Sequence, residues 1–105
     1  MPTKSNLNVE VKDTETELIE STSTSTDEDR TFGVGNGKKE IKATAWGSND
    51  NQNWEEEESK TIAPRDYETL IVGINHFPRV KLTGRTTTPD ETSIVDAYLT
   101  YFPPE

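Results

Sequence analysis

The sequence predicts an all-β fold: a jelly-roll-like antiparallel β-sandwich of about eight short strands, with an extended arm at its N-terminus. Three observations predict it. Short apolar runs alternate with polar residues at a period of two, clusters of turn formers separate these runs every ten residues or so, and no stretch repeats at the helical period of about 3.6. We divide the chain into an arm, residues 1–13, and a sandwich domain, residues 14–105.

The arm carries Leu7-Asn8-Val9-Glu10-Val11, whose strict alternation sets Leu7, Val9 and Val11 on one side of an extended strand and Asn8 and Glu10 on the other. A strand of this kind needs a sheet edge, supplied either by its own domain or by a neighbouring copy. Leu18 and Ile19 mark a short second strand, and the tract Ser21-Thr22-Ser23-Thr24-Ser25-Thr26 after it reads as linker or edge strand. Thr31-Phe32-Gly33-Val34-Gly35 and Glu40-Ile41-Lys42-Ala43-Thr44-Ala45-Trp46 flank Asn36-Gly37, the dipeptide that most strongly signals a hairpin. Ser48 to Asn53 is a polar hairpin tip closed by Trp54, and Glu55 to Ile62 continues as a strand that opens with four consecutive glutamates. Tyr67 to Ile74 ends almost entirely apolar, which predicts a central strand covered on both faces. Asn75-His76-Phe77-Pro78 turns into Arg79 to Thr83, Gly84 to Glu91 loops around Pro89, and Ser93 to Phe102 is the last strand. Pro103-Pro104 stops it, because proline cannot donate to a ladder.

Composition narrows the class. Val, Ile, Leu and Phe together make only 20 of 105 residues, a poor core for a folded chain. The eight aromatic residues nevertheless fall in ordered β patterns, so we read the chain as folded but core-poor, with much to gain from burying surface against other copies. A net charge of −9, with seven Lys and four Arg scattered along the chain, argues against nucleic acid as a partner. No run reaches the roughly 18 apolar residues of a membrane span, and no apolar signal region follows Met1-Pro2-Thr3-Lys4-Ser5. Membrane insertion and a conventional export signal are therefore not expected. Without cysteine, disulfides, thiolate catalysis and Cys-based zinc sites are excluded.

Little else points to chemistry. Gly33, Gly35 and Gly37 lack the Lys-Ser/Thr ending and the following helix of a phosphate loop, and read as bulge and turn positions. Asn49, Asp50, Asn51, Asn53 and Glu55 offer hard oxygen ligands without the turn glycine or glutamate spacing of a calcium loop, so no metal is expected. His76, the single histidine, sits in a turn beside Phe77-Pro78 and reads as surface structure. No serine has a nucleophile-elbow setting and no two carboxylates stand out, so we expect neither an enzyme nor a cofactor.

From Thr31 to Tyr101 the order of motifs carries a resemblance. Thr31-Phe32-Gly33-Val34 with Asn36, Ile41 to Ala45, Ser48-Asn49-Asp50 ahead of Trp54, Thr61-Ile62-Ala63-Pro64, Phe77-Pro78-Arg79-Val80-Lys81-Leu82 and a tyrosine-bearing last strand resemble the β-sandwich domains of spore surfaces in endospore-forming bacteria. They are similar in particular to the subunits of endospore appendage fibres. The resemblance covers about two-thirds of the chain. It implies an extracellular, spore-surface structural subunit that polymerises into a helical filament of identical copies, with an N-terminal connector docking into the neighbour and a possible anchoring protein beneath. Leu7, Val9 and Val11 then match the connector, by position and pattern, as donated anchors. Appendage subunits also cross-link through cysteines, which this chain lacks, so strand donation alone would hold the fibre. A carbohydrate-binding module is one alternative, because Gly47-Ser48-Asn49-Asp50 followed by Trp54 also resembles a loop of discoidin-like domains. Asn49, Asp50 and Trp54 are accordingly the candidate ligand or lateral-contact residues. A phage tail or capsid decoration module is the other alternative.

Overall fold

The period-two pattern resolves into eight strands in the computed structural model, which describes residues 3–74 and 76–104. In chain order they are β1 (Thr3–Val11), β2 (Thr16–Ser23), β3 (Arg30–Gly35), β4 (Ile41–Ser48), β5 (Glu55–Ile62), β6 (Tyr67–Val72), β7 (Arg79–Thr86) and β8 (Ser93–Thr100). They form two four-stranded antiparallel sheets, β1-β8-β3-β6 and β2-β7-β4-β5. Most consecutive strands lie in different sheets, so the chain winds back and forth across the sandwich in jelly-roll fashion.

The inner faces meet through alternate residues, except where a bulge in β2 turns the adjacent Leu18 and Ile19 both inward. The first sheet contributes Val11, Phe32, Val34, Leu70, Val72, Val95, Ala97 and Leu99; the second contributes Leu18, Ile19, Ile41, Ala43, Ala45, Ile62, Val80 and Leu82. Ala43, Ala45 and Gly47 thin the inner face of β4, and Phe77 fills the room left over Gly47, whose added β-carbon would sit 2.7 Å from Phe77 Cγ. Four loops gather at one end, where Arg65 N donates to Gly37 O at 2.7 Å and Thr86 N to Lys12 O at 2.8 Å. At the other end Thr24 N donates to Pro78 O and Ser25 N to Phe102 O, both at 2.8 Å.

Three expectations are corrected. Asn36-Gly37 is not a hairpin turn, since β3 and β4 belong to different sheets. The Asn36 side chain instead ties three segments: Nδ2 donates to Lys39 O at 2.8 Å and Ile62 O at 3.0 Å, and Oδ1 accepts from Ser93 Oγ at 2.9 Å. These bonds reward a crossover over a tight turn, and Gly37 has no positive φ. The strand Tyr67–Val72 is an edge rather than a central strand: Leu70 and Val72 point into the core while Tyr67 and Ile71 stay 55% and 43% exposed. Its apolar outward positions were indistinguishable, in sequence, from buried ones.

The third correction concerns β1. Asn6 pairs with Ala97 and Val9 with Val95, so three steps along β1 match two along β8. The extra residue is a β-bulge with Asn8 at φ 56°, which an asparagine tolerates. A bulge shifts the alternation by one. Val11 is therefore fully buried and Val9 packs on the core, but Leu7 is 53% exposed on the outer face. The Ser/Thr tract, left open between linker and edge strand, is divided: β2 runs as an edge strand through Ser23 and a loop follows. Of the expected turn at residues 75–78, Asn75 lies outside the described residues.

Candidate functional site

The sequence points to two places, the first strand and the Ser48 to Trp54 loop, and the structure adds a third, a buried arginine. On the inner face of β1, the half before the bulge is polar. Lys4 Nζ reaches Glu20 Oε1 and Thr22 Oγ1, both at 3.1 Å, and Asn6 Nδ2 donates to Leu18 O at 3.0 Å. Here the two sheets part at their β1 and β2 edges, leaving an open cleft of about 210 Å³ between Lys4, Asn6, Leu18 and Glu20. The half after the bulge holds the strand by Val9 and Val11. Of the three anchors expected, the structure thus places two against the core and one, Leu7, in solvent. β1 pairs with a single strand, β8, along its length.

Ser48 to Asn53 is a self-contained loop. Asp50 Oδ1 accepts from the amides of Gln52 at 2.9 Å and Asn53 at 2.8 Å, and from Ser48 Oγ at 3.1 Å, while Oδ2 accepts from Asn53 Nδ2 at 2.7 Å. Those amides, Asn53 first and Gln52 next, hold the Asp50 carboxyl well below the usual carboxylate range. Most of its acceptor capacity is thereby taken up in shaping the loop. Trp54 is half-buried beneath Lys81, whose Nζ stands 4.3 Å from the ring centroid. Asn49 is exposed and lies apart from Trp54's covered face, at an open cleft shared with Glu57 and His76. The structure thus does not gather Asn49, Asp50 and Trp54 around one cavity. His76 Nδ1 lies 2.7 Å from Glu57 Oε1, and a bulge in β5 between the Ala45–Glu58 and Trp46–Glu56 pairs aims Glu57 toward it. Among the described residues no group of three or more His, Cys, Asp or Glu side chains is arranged to hold a metal ion.

Arg30 was not anticipated. Its side chain is fully buried at the loop end that holds Phe102, where Nη1 donates to Ser25 O at 2.9 Å and Nη2 to Gly73 O at 3.1 Å and to His76 O. One guanidinium thus clasps the β2–β3 and β6–β7 loops by their carbonyls. Burial lowers its pKa from the ordinary arginine value, opposed by the nearby charges of Asp29 and Glu57. The sequence did carry a signal, because Arg30 shares the parity of Phe32 and Val34 and so faces inward with them.

No protein-family model matches the chain. No curated protein matches it either. Among solved structures the chain is similar to the crystal structure of PirA, with a TM-score of 0.64 over 95% of this chain and 92% of that chain, at 9% sequence identity. A likeness at that identity shows a shared β-sandwich fold. Among the described residues no helix is long and apolar enough to cross a membrane.

Proposed function

We propose that this chain is a structural subunit that polymerises without covalent links by exchanging β1 between neighbouring copies. The observation that carries the reading is the way β1 is held: one ladder to β8, two valines on the core, and an inner face that is polar from Lys4 to Asn6. Peeling β1 from its N-terminal end therefore exposes little apolar surface, and strands so held open locally far below the cost of global unfolding. Once β1 leaves, β8 becomes an unpaired edge over Val95, Ala97 and Leu99, a place shaped for β1 of another copy.

The exchanged strand makes in trans the contacts that it makes in cis, so only the connection Lys12-Asp13-Thr14-Glu15 must change conformation. Such exchange is a low-cost route to assembly. Nine residues of strand reach about 30 Å, comparable to the 41 Å length of the molecule. Donor strand and acceptor groove are different surfaces, so a head-to-tail series stays open and grows into a filament unless it closes on itself. The appendage resemblance of residues 31–101 supports placing such a filament outside the cell on a spore surface, above an anchoring protein.

Val9 and Val11 are the donated anchors under this reading, and Leu7 is free to contact whatever covers the outer face. The test is negative-stain electron microscopy of purified protein across a range of salt and pH. Filaments are expected; closed rings or monodisperse monomers throughout would overturn the reading. The carbohydrate-module alternative gains nothing from the loop, where Asp50 is engaged and Trp54 is covered by Lys81.

A further inference from the structure

The outer face of the sheet β1-β8-β3-β6 is apolar in a way that the strand-exchange reading does not use. Of the large hydrophobic side chains left exposed, Leu7, Ile94, Tyr98, Tyr67 and Ile71 all lie on it. β3 runs through its middle and offers only Thr31, Gly33 and Gly35 outward. Tyr67 lies across Gly33, where a β-carbon would come 2.9 Å from Tyr67 Cζ and so does not fit; a β-carbon on Gly35 would make ordinary contact, 3.7 Å from Tyr67 Cδ2. Tyr98 stands opposite Gly33 on the neighbouring strand. The result is a flat shelf of two tyrosines flanked by aliphatic side chains and threonines.

Charge identifies the occupant. On a chain of net charge −9, Glu10 and Asp96 are, among the described residues, the only ionisable acids or bases, tyrosines aside, that alternate onto this face, and Asp96 Oδ1 already accepts from Asn8 N at 2.8 Å. Among the described residues no lysine or arginine faces outward here, which disfavours a nucleic acid or an anionic membrane. The opposite sheet, by contrast, presents Lys42, Lys81, Arg85 and Glu56 on its outside. The apolar face is therefore where two copies of an acidic chain approach with least repulsion. Four strands about 4.8 Å apart and about six residues long cover about 400 Å² in projection. Two such faces bury about 800 Å² in projection, and side-chain relief brings this to on the order of 1,000 Å², the lower bound of a specific interface. A patch of this extent matches the largest one on a typical monomer, which is often a functional surface.

We propose that this face docks a second copy of the same chain, sheet on sheet, about a two-fold axis, independently of whether β1 is exchanged. The test removes exchange first. Thr3 and Thr100 are paired residues at the rim of the face, and a Thr3→Cys/Thr100→Cys disulfide formed in dilute solution fixes β1 in its own domain. Sedimentation equilibrium of this locked chain should show a reversible monomer–dimer equilibrium. Tyr98→Glu should weaken it at least tenfold, as should the milder Ile71→Ser, with far-UV circular dichroism unchanged in both. A locked chain that stays monomeric up to about 1 mM would overturn the proposal, as would dimers indifferent to both substitutions. Retention of monomers on an insoluble polysaccharide, lost with Tyr67→Ser, would overturn it in favour of a sugar platform.

Discussion

At the scale of single residues, two polar side chains do more for this fold than their positions in the sequence suggest. Arg30 satisfies carbonyls of Ser25, Gly73 and His76 from inside the sandwich, while its own Nε is buried without a partner. Arg30→Ala leaves those acceptors unpaired beside a cavity, which costs about 2–4 kcal/mol and should lower the melting temperature by about 10 °C or more. Differential scanning calorimetry reads this directly. Asp50 acts locally, through the amides of Gln52 and Asn53. Its carboxyl pKa is depressed in the folded chain, so its stabilising effect is complete above the unfolded value of about 4 and is lost as the pH falls below it. Amide exchange at Gln52 and Asn53, corrected for its intrinsic pH dependence, should therefore be slow at neutral pH and lose protection below about pH 4. Asp50→Ala should abolish that protection at every pH.

At the scale of elements, alternation locates strands but cannot count bulges. Strict period two in Leu7 to Val11 gave the strand and its inward valines, yet the bulge at Asn8 turns Leu7 out, and nothing in the five letters marks it. Substitution should separate the anchors. Val11→Ala removes fully buried methyl groups and should cost about 2 kcal/mol, whereas Leu7→Ala, at a solvent-facing site, should stay within about 0.5 kcal/mol. Urea denaturation of both variants checks this. The strands themselves were legible from turn chemistry and apolar runs, because their spacing is a local property. Sheet partnership was not. Asn36-Gly37 carries the local signature of a hairpin, but long-range bonds from Asn36 to Ile62 and Ser93 decide for a crossover. Edge and centre are likewise set by what lies beside a strand, so β6 could not be placed from its own residues. The loop at Asn49, Asp50 and Trp54 was visible as a polar tip, and the Asp50 carboxylate bonds only to neighbours two and three residues away, but the cover of Lys81 over Trp54 is tertiary.

At the scale of the whole molecule, a core-poor sequence has become a sandwich with two unequal outsides and one edge strand that is polar along half of its inner face. Both features follow from the same shortage of apolar residues. Too few remain to make β1 apolar along its inner face, and several of those present lie on the outer face of the first sheet rather than in the core. Under the proposed reading, strand exchange relocates the β1 contacts into a neighbouring copy, and face pairing would add new ones. The central claim is that β1 leaves its own domain to build the polymer. Electron microscopy of the Thr3→Cys/Thr100→Cys chain tests it most directly, oxidised as dilute monomer and then concentrated with and without reductant. Filaments that appear only after the disulfide is reduced are the predicted result; filaments that form equally well with the disulfide intact, or in neither state, would contradict it.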